Sequence, residues 1–217
     1  MNSVKINFKA SAVLFLFLGF AVSYAQDLKP IKLPSPEKGI GKPLMEALNL
    51  RSSNRNFDTK PLPMQELSNL LWAAFGINRP ESGKRTAPSA MNWQEVDIYV
   101  TMVEGAFIYD AVEHQLNPVS KEDLRGLTGV QAFVKTAPIN LVYVSDMKKV
   151  SRAGADDAAI WTGADCGFIA QNVYLYCASQ GLAVVVRGMV DKTKLAQALH
   201  LRPEQKIMLC QTIGYAK

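Results

Sequence analysis

The sequence predicts an α+β domain in which helices cover a sheet. Three observations lead there. Helical patterns outnumber strand patterns. They come in mixed order, without the strict alternation that builds a doubly wound parallel sheet. One of them, Asp156 to Gln180, is apolar almost all round from Cys166 to Ala178, and such a helix belongs in a core.

The elements follow in order. Residues 1–25 read as a signal peptide. Lys5 and Lys9 make a positive start, and Ala10 to Val22 is shorter than the roughly 20 residues of a membrane span. Ser23-Tyr24-Ala25 is a small-x-small cleavage site before Gln26. No later apolar run is long enough to span, so the expected product is exported, periplasmic or secreted, with no stable membrane span after cleavage. Residues 26–41, rich in Pro, Lys and Gly, read as an extended arm, and residues 42–217 as one domain. Within it, Lys42 to Leu50 is a short helix. Pro63 to Phe75 is a helix with Met64, Leu67, Leu70, Leu71 and Phe75 on one face and Gly76 as its stop. Arg79 to Asn92 is a polar loop. Val96 to Val103 is β-rich, and Glu104-Gly105 turns it into Phe107 to Tyr109, a hairpin. Ser120-x-x-Asp123 has the form of a capping box and opens a segment to Leu127. Ile139 to Val144, Leu182 to Val186 and Ile207 to Ile213 read as strands, and Lys192 to His200 as a helix.

Composition excludes several functions. Cleavage leaves 192 of the 217 residues, enough for one domain with a sizeable core. Losing two Lys lowers the net charge from +5 to +3, and no basic run or nucleic-acid motif is present, so no nucleic-acid partner is expected. Cys166 and Cys177 lie on one helix about 16 Å apart, beyond the roughly 7 Å reach of a disulfide. They and Cys210 read as buried, inert thiols. With two His and no Cys-x-x-Cys, no metal is expected. Gly39-Ile40-Gly41-Lys42 lacks the spacing, the hydroxyl residue and the preceding strand of a phosphate loop. His200 reads as a helix-end residue, and Asp156-Asp157 as a helix start. Tyr174 reads as core or interface, and Gln171 and Asn172 as buried polar groups in need of partners.

Two segments carry chemistry. Arg51-Ser52-Ser53-Asn54-Arg55 packs two guanidiniums and two hydroxyls into five residues, a set suited to a phosphate. Pro88-Ser89-Ala90-Met91-Asn92-Trp93-Gln94 is a stiffened polar loop before a strand. There Ser89 and Asn92 offer donors and acceptors.

These segments, with Asp165-x-Gly167-x-x-x-Gln171-Asn172, Val186-Arg187-Gly188 and Ile213-Gly214-Tyr215, occur in the order of the nitroreductase family, which the chain resembles from Leu44 to Lys217. The Asp165 and Gln171-Asn172 pattern resembles the SagB-type dehydrogenase branch. The resemblance implies a central, mostly antiparallel sheet flanked by helices, in an intertwined homodimer holding flavin mononucleotide (FMN). Arg51, Ser52, Ser53 and Arg55 would bind FMN from one subunit, with Arg51 and Ser53 at the phosphate and ribityl end and Arg55 at the N1/O2 edge. Pro88, Ser89 and Asn92 would come from the other subunit. Arg187 and Gly188 would lie near N5, and Lys217, or Lys84 and Arg85, would replace basic residues that relatives carry further on. No acid or base of the protein's own is implied as catalytic. The implied activity is hydride transfer through N5 in ping-pong order, from a small-molecule donor (NAD(P)H or another) to an acceptor such as a nitroaromatic or quinone. A non-catalytic exported flavin-binding or scaffold protein is the alternative. Two departures from the family stand out: Arg187 replaces Glu or Gly, and Glu95 stands where Pro is usual.

Overall fold

A computed structural model describes residues 28–150 and 153–217. The expected signal peptide, residues 1–25, lies outside the described residues, as do Gln26 and Asp27 of the arm.

Seven strands form one sheet in the order β1-β6-β5-β4-β7-β9-β8, and every pairing in it is antiparallel. The strands are β1 (Ile31–Lys32), β4 (Val96–Met102), β5 (Gly105–Asp110), β6 (Gln115–Ser120), β7 (Ile139–Asp146), β8 (Ala183–Arg187) and β9 (Gln205–Gly214). A separate small hairpin pairs β2 (Ile77–Arg79) with β3 (Lys84–Arg85) inside the expected polar loop. Four α-helices complete the described fold: α1 (Leu44–Leu50), α2 (Met64–Phe75), α3 (Ala155–Gln180) and α4 (Lys192–Ala198). The α+β class is as expected, but strands outnumber helices.

The central strands are apolar on both sides because α2 and α3 cover one face and α4 with its neighbouring loops the other. On one face α2 and α3 bury Leu67, Leu70, Leu71, Phe75, Ile169, Val173 and Cys177 against Ile98, Val100, Leu141, Tyr143, Val184 and Ile213. On the other, α4 places Leu195 and Leu199 against Tyr99, Val142, Val144 and Ile207. All three thiols are free and buried. Burial pushes Cys166 up to about 12 and Cys210 up to about 11, which makes them poor nucleophiles.

Two local expectations need correction. The run from Gln115 to Ser120 is a strand, and Ser120 opens no regular α-helix; a short 3-10 turn follows at Arg125–Leu127. Polar side chains and Pro118 hide β6 from a periodicity reading, while β5 pairs it through a bulge at Ala106/Phe107. Gln171 is exposed, not buried, and Asn172 is half-buried, its Nδ2 donating to Ala74 O at 3.5 Å.

The arm does run extended. β1 pairs with β6, and beyond it His114 Nε2 lies 2.7 Å from Ser68 Oγ of α2 and 3.1 Å from Pro34 O. His114 Nδ1 lies 3.0 Å from the Tyr109 hydroxyl. This histidine therefore clips the arm to α2 and to the β5–β6 hairpin. No helix among the described residues is long and apolar enough to cross a membrane.

Candidate functional site

The first cluster grows from the end of α1. Arg51 closes that helix with its N–H on Ala47 O at 2.9 Å. The chain then follows the β8 edge of the sheet, where Asn54 N–H donates to Val184 O at 2.9 Å. Tyr174 of α3 fixes the segment from beneath. Its hydroxyl accepts the Val186 N–H at 2.9 Å and lies 2.9 Å from Ser53 Oγ. Its ring lies under the Arg51 guanidinium at 5.4 Å, a cation–π distance. Ser52, Ser53 and Arg55 are exposed. Neither Arg51 nor Arg55 has a carboxylate partner among the described residues. The chain terminus comes back to the same place. Phe57 bridges Ala216, and Lys217 N–H donates to Asn56 O at 3.2 Å. Three cationic residues and two hydroxyl residues thus share one exposed strip.

The second cluster sits at the other half of α3. Ser89 Oγ accepts the Gln94 N–H at 3.0 Å, and the Ala90 N–H donates to Asp165 Oδ2 at 2.9 Å. Arg85 Nε donates to Gln94 Oε1 at 2.8 Å and Nη1 to Phe75 O at 3.0 Å, so Arg85 is committed to holding this loop; Lys84 is exposed. Met91, Asn92 and Gln94 have φ of 50°, 55° and 48°, left-handed values that strain a side chain-bearing residue. Pro88 and Asn92 are exposed and Ser89 is half-buried. Directly behind the loop Glu95 is fully buried. Burial, and after it the facing Asp165, push its carboxyl up to about 7.

Arg187 and Gly188 end β8 differently from one another. Along β8, Val184 and Val186 face α3, while Ala183, Val185 and Arg187 face the other way. The Arg187 guanidinium is therefore interior. Nε donates to Thr212 Oγ1 at 3.0 Å, Nη2 to Asn140 Oδ1 at 3.0 Å, and Nη1 to Thr128 O. No carboxylate answers its charge among the described residues, and burial lowers its pKa. Only its backbone is left to face a ligand. Gly188 is exposed, and a Cβ there would meet nothing nearer than Leu209 at 3.9 Å, so the space above it is open.

The two clusters do not meet within one copy. Asp165 and Tyr174, which anchor them, are nine residues apart on α3, about 13 Å along the axis. An apolar cavity of about 470 Å³ lies elsewhere, lined by Leu62, Met64, Met102, Val103, Arg125 and Ile139 among others, and contains no residue of either cluster. Sequence reasoning missed Tyr174 as a fastener. A tyrosine in an apolar helix reads as core, and its partner Ser53 is 121 residues away.

Such a pair of clusters on this sheet defines a class of protein. The Nitroreductase family profile matches residues 48–215. The chain belongs to this family, whose members are generally FMN-dependent oxidoreductases. A nitroreductase homologue of Methanocaldococcus jannaschii is 29% identical over 186 residues, covering 81% of this chain and 92% of the relative. A nitroreductase-type structure from Ralstonia eutropha is 43% identical with TM-score 0.84, covering 88% of this chain and 90% of that one. A chain of the E. coli microcin synthetase complex shares the fold at 17% identity, with TM-score 0.67 over 95% of this chain and 85% of that one.

Proposed function

We propose that the protein is an exported, homodimeric FMN oxidoreductase that moves hydride between small molecules in ping-pong order. The observation that carries this reading is the strip of Arg51, Ser52, Ser53, Arg55 and Lys217. It holds cations and hydroxyls, exposed except for the half-buried Arg51, with no carboxylate paired to them among the described residues, in a family of flavin enzymes. The residues fit FMN on this structure's own terms. A phosphate needs unpartnered donors, and the open space above Gly188 admits a planar ring.

Two surfaces support a dimer. α3 exposes Ile160, Ala164, Gly167, Phe168 and Gln171, on one face at three- and four-residue spacing that runs past Asp165 toward Tyr174. Beside it α1 exposes Leu44, Met45 and Leu48, with Met45 at 76%. A contiguous apolar surface of this kind calls for a partner. A twofold axis across α3 would bring one copy's Arg51 strip toward the other copy's Ser89–Asn92 turn, joining half-sites that one copy keeps apart.

When bound, FMN supplies hydride acceptance and release at N5. The chain supplies the rest. Arg51, Ser53 and Lys217 hold the phosphate and ribityl end. Arg55 would place positive charge near the ring, where negative charge develops on reduction. Ser89 and Asn92 would orient the ring from the second copy, and the backbone of Arg187 and Gly188 would line its reacting side. The resemblance implies no acid or base of the protein's own, so orientation and electrostatics would be the protein's contribution. The Lys5–Ala25 pattern supports export. Outside the cytoplasm NAD(P)H is scarce, which favours another reduced donor, or use of the flavin to dehydrogenate a substrate. The Asp165 and Gln171-Asn172 pattern supports the SagB-type branch. Nitroaromatics and quinones are the acceptors the family name favours.

Arg55→Ala is the test. The expected result is FMN affinity at least about tenfold weaker, one lost charge-assisted contact, or slower flavin reduction at saturating FMN. Wild-type affinity together with a wild-type reduction rate would remove Arg55 from the site.

A further inference from the structure

Glu95 is an acid that the FMN reading leaves unexplained. It precedes β4 and is fully buried, and neither carboxyl oxygen receives a hydrogen bond from the described residues. Its backbone is pinned, with the carbonyl accepting Asp146 N–H at 2.9 Å. An ionised carboxylate there would lose its hydration and gain no donor in return.

The group facing it is the Asp165 carboxyl of α3, itself buried, whose negative charge bears on Glu95. Two carboxyls in contact bond only through a shared proton; ionised together, they repel. Asp165 Oδ2 already accepts the Ala90 N–H, whereas Glu95 has no donor at either oxygen, so the proton sits on Glu95. The other titratable groups nearby do not replace that proton. Cys166, next on α3, is held as a thiol by burial and contacts Ser145 at 3.8 Å. Lys149, after β7, spends its Nζ on Gln94 O at 3.0 Å and lies 4.0 Å from Asp97 on β4. Arg85 is bound to Gln94 Oε1 and Phe75 O.

The loop this pair supports is under strain at Met91, Asn92 and Gln94. A strained turn keeps its shape only while both ends are fastened. Asp165 fastens the near end through Ala90, and Glu95 is the first residue beyond the far end.

We propose that Glu95 and Asp165 share one proton and act as a positioning pair, fixing the Ser89–Asn92 turn in the form that binds FMN. The proposal rests on the FMN reading and adds a pH dependence to it. Loss of the proton sets two buried carboxylates against each other. Asp165 then swings from Ala90, the turn relaxes, and affinity falls.

The experiment uses Glu95→Gln, which keeps the shape and a donor toward Asp165 but cannot ionise. FMN affinity is measured by flavin fluorescence from about pH 6 to about pH 9 in both proteins. The infrared band of a protonated carboxyl is followed in each protein without flavin. The expected wild-type result is affinity weaker by about tenfold or more at the alkaline end, as binding draws on a protonation state being lost. Glu95→Gln is expected to vary less than about threefold over that range. The carboxyl band is expected in wild-type protein at the acid end and missing in Glu95→Gln. An equal alkaline loss in both proteins, or no such band in wild type, overturns the pair. If FMN fails to bind at every pH, the FMN reading falls, while the carboxyl band still decides whether the proton is shared.

Discussion

Removing the Arg187 guanidinium separates a cofactor ligand from an interior support. Its nitrogens donate to Thr212 Oγ1 and Asn140 Oδ1 at 3.0 Å each and to Thr128 O. Arg187→Met keeps most of the volume but strands these acceptors, at about 1–3 kcal/mol for each buried one. Part of that loss is offset, because the charge is buried without a carboxylate. The expected net destabilisation is about 2–4 kcal/mol, or roughly 4–16 °C in melting temperature for a chain of this size. Gly129 supplies a second handle. A Cβ there would sit 2.0 Å from Arg187 Nη1, which its hydrogen bonds keep from moving aside. Gly129→Ala alone should therefore cost about 2 kcal/mol, and much less in the Arg187→Met background, a coupling of about 1–2 kcal/mol. Urea unfolding of the four proteins in the cycle measures it. FMN affinity of folded Arg187→Met should stay within about threefold of wild type, since the side chain faces away from α3. Unchanged stability with lost FMN binding would refute this reasoning and make the guanidinium a cofactor ligand.

Three further outcomes follow from the geometry. Tyr174→Phe strands the Val186 N–H and frees Ser53, so it should cost about 1–2 kcal/mol in unfolding and weaken FMN binding several-fold. His114 is held below its ordinary pKa by burial, then by Lys32. The stability it gives is present above the unfolded value of about 6.5 and is lost as pH falls through the lower folded value. His114→Gln should flatten that acid limb of the melting curve. Glu95 has the opposite sign: its stability is present in acid and is lost as pH rises through about 7. Glu95→Gln should flatten the alkaline limb and leave the acid limb intact.

Much of this fold was legible where one periodicity dominates. α2 shows its apolar face at helical spacing, and Gly76 ends it; the β4–β5 hairpin and β7 announce themselves by β-branched runs. β6 was not legible, because its identity comes from pairing with β5 and not from QLNPVS itself. The Arg51–Arg55 strip could be proposed from sequence, since adjacent cations and hydroxyls suit an anion in any fold, and the structure leaves Ser52, Ser53 and Arg55 exposed. Where the Arg187 side chain goes was not legible, because only the two-residue alternation of β8 turns it inward beside Val185 and leaves its backbone outward. Asp165, Tyr174 and Glu95 were hardest to read, because each acts on a residue distant in the chain or through a face that only the packed helix defines. Glu95 gave one hint, a carboxylate in place of the family's usual Pro.

An FMN oxidoreductase must bind flavin and turn it over. The direct measurement is an absorption spectrum of the purified protein with added FMN, before and after anaerobic addition of NADH, NADPH or a chemical reductant paired with a quinone acceptor. The expected result is a bound-flavin spectrum that bleaches on reduction and returns when acceptor is added. A protein that leaves the FMN spectrum free and unperturbed would contradict the claim, and the roles given to Arg51, Ser53, Arg55 and Lys217 with it.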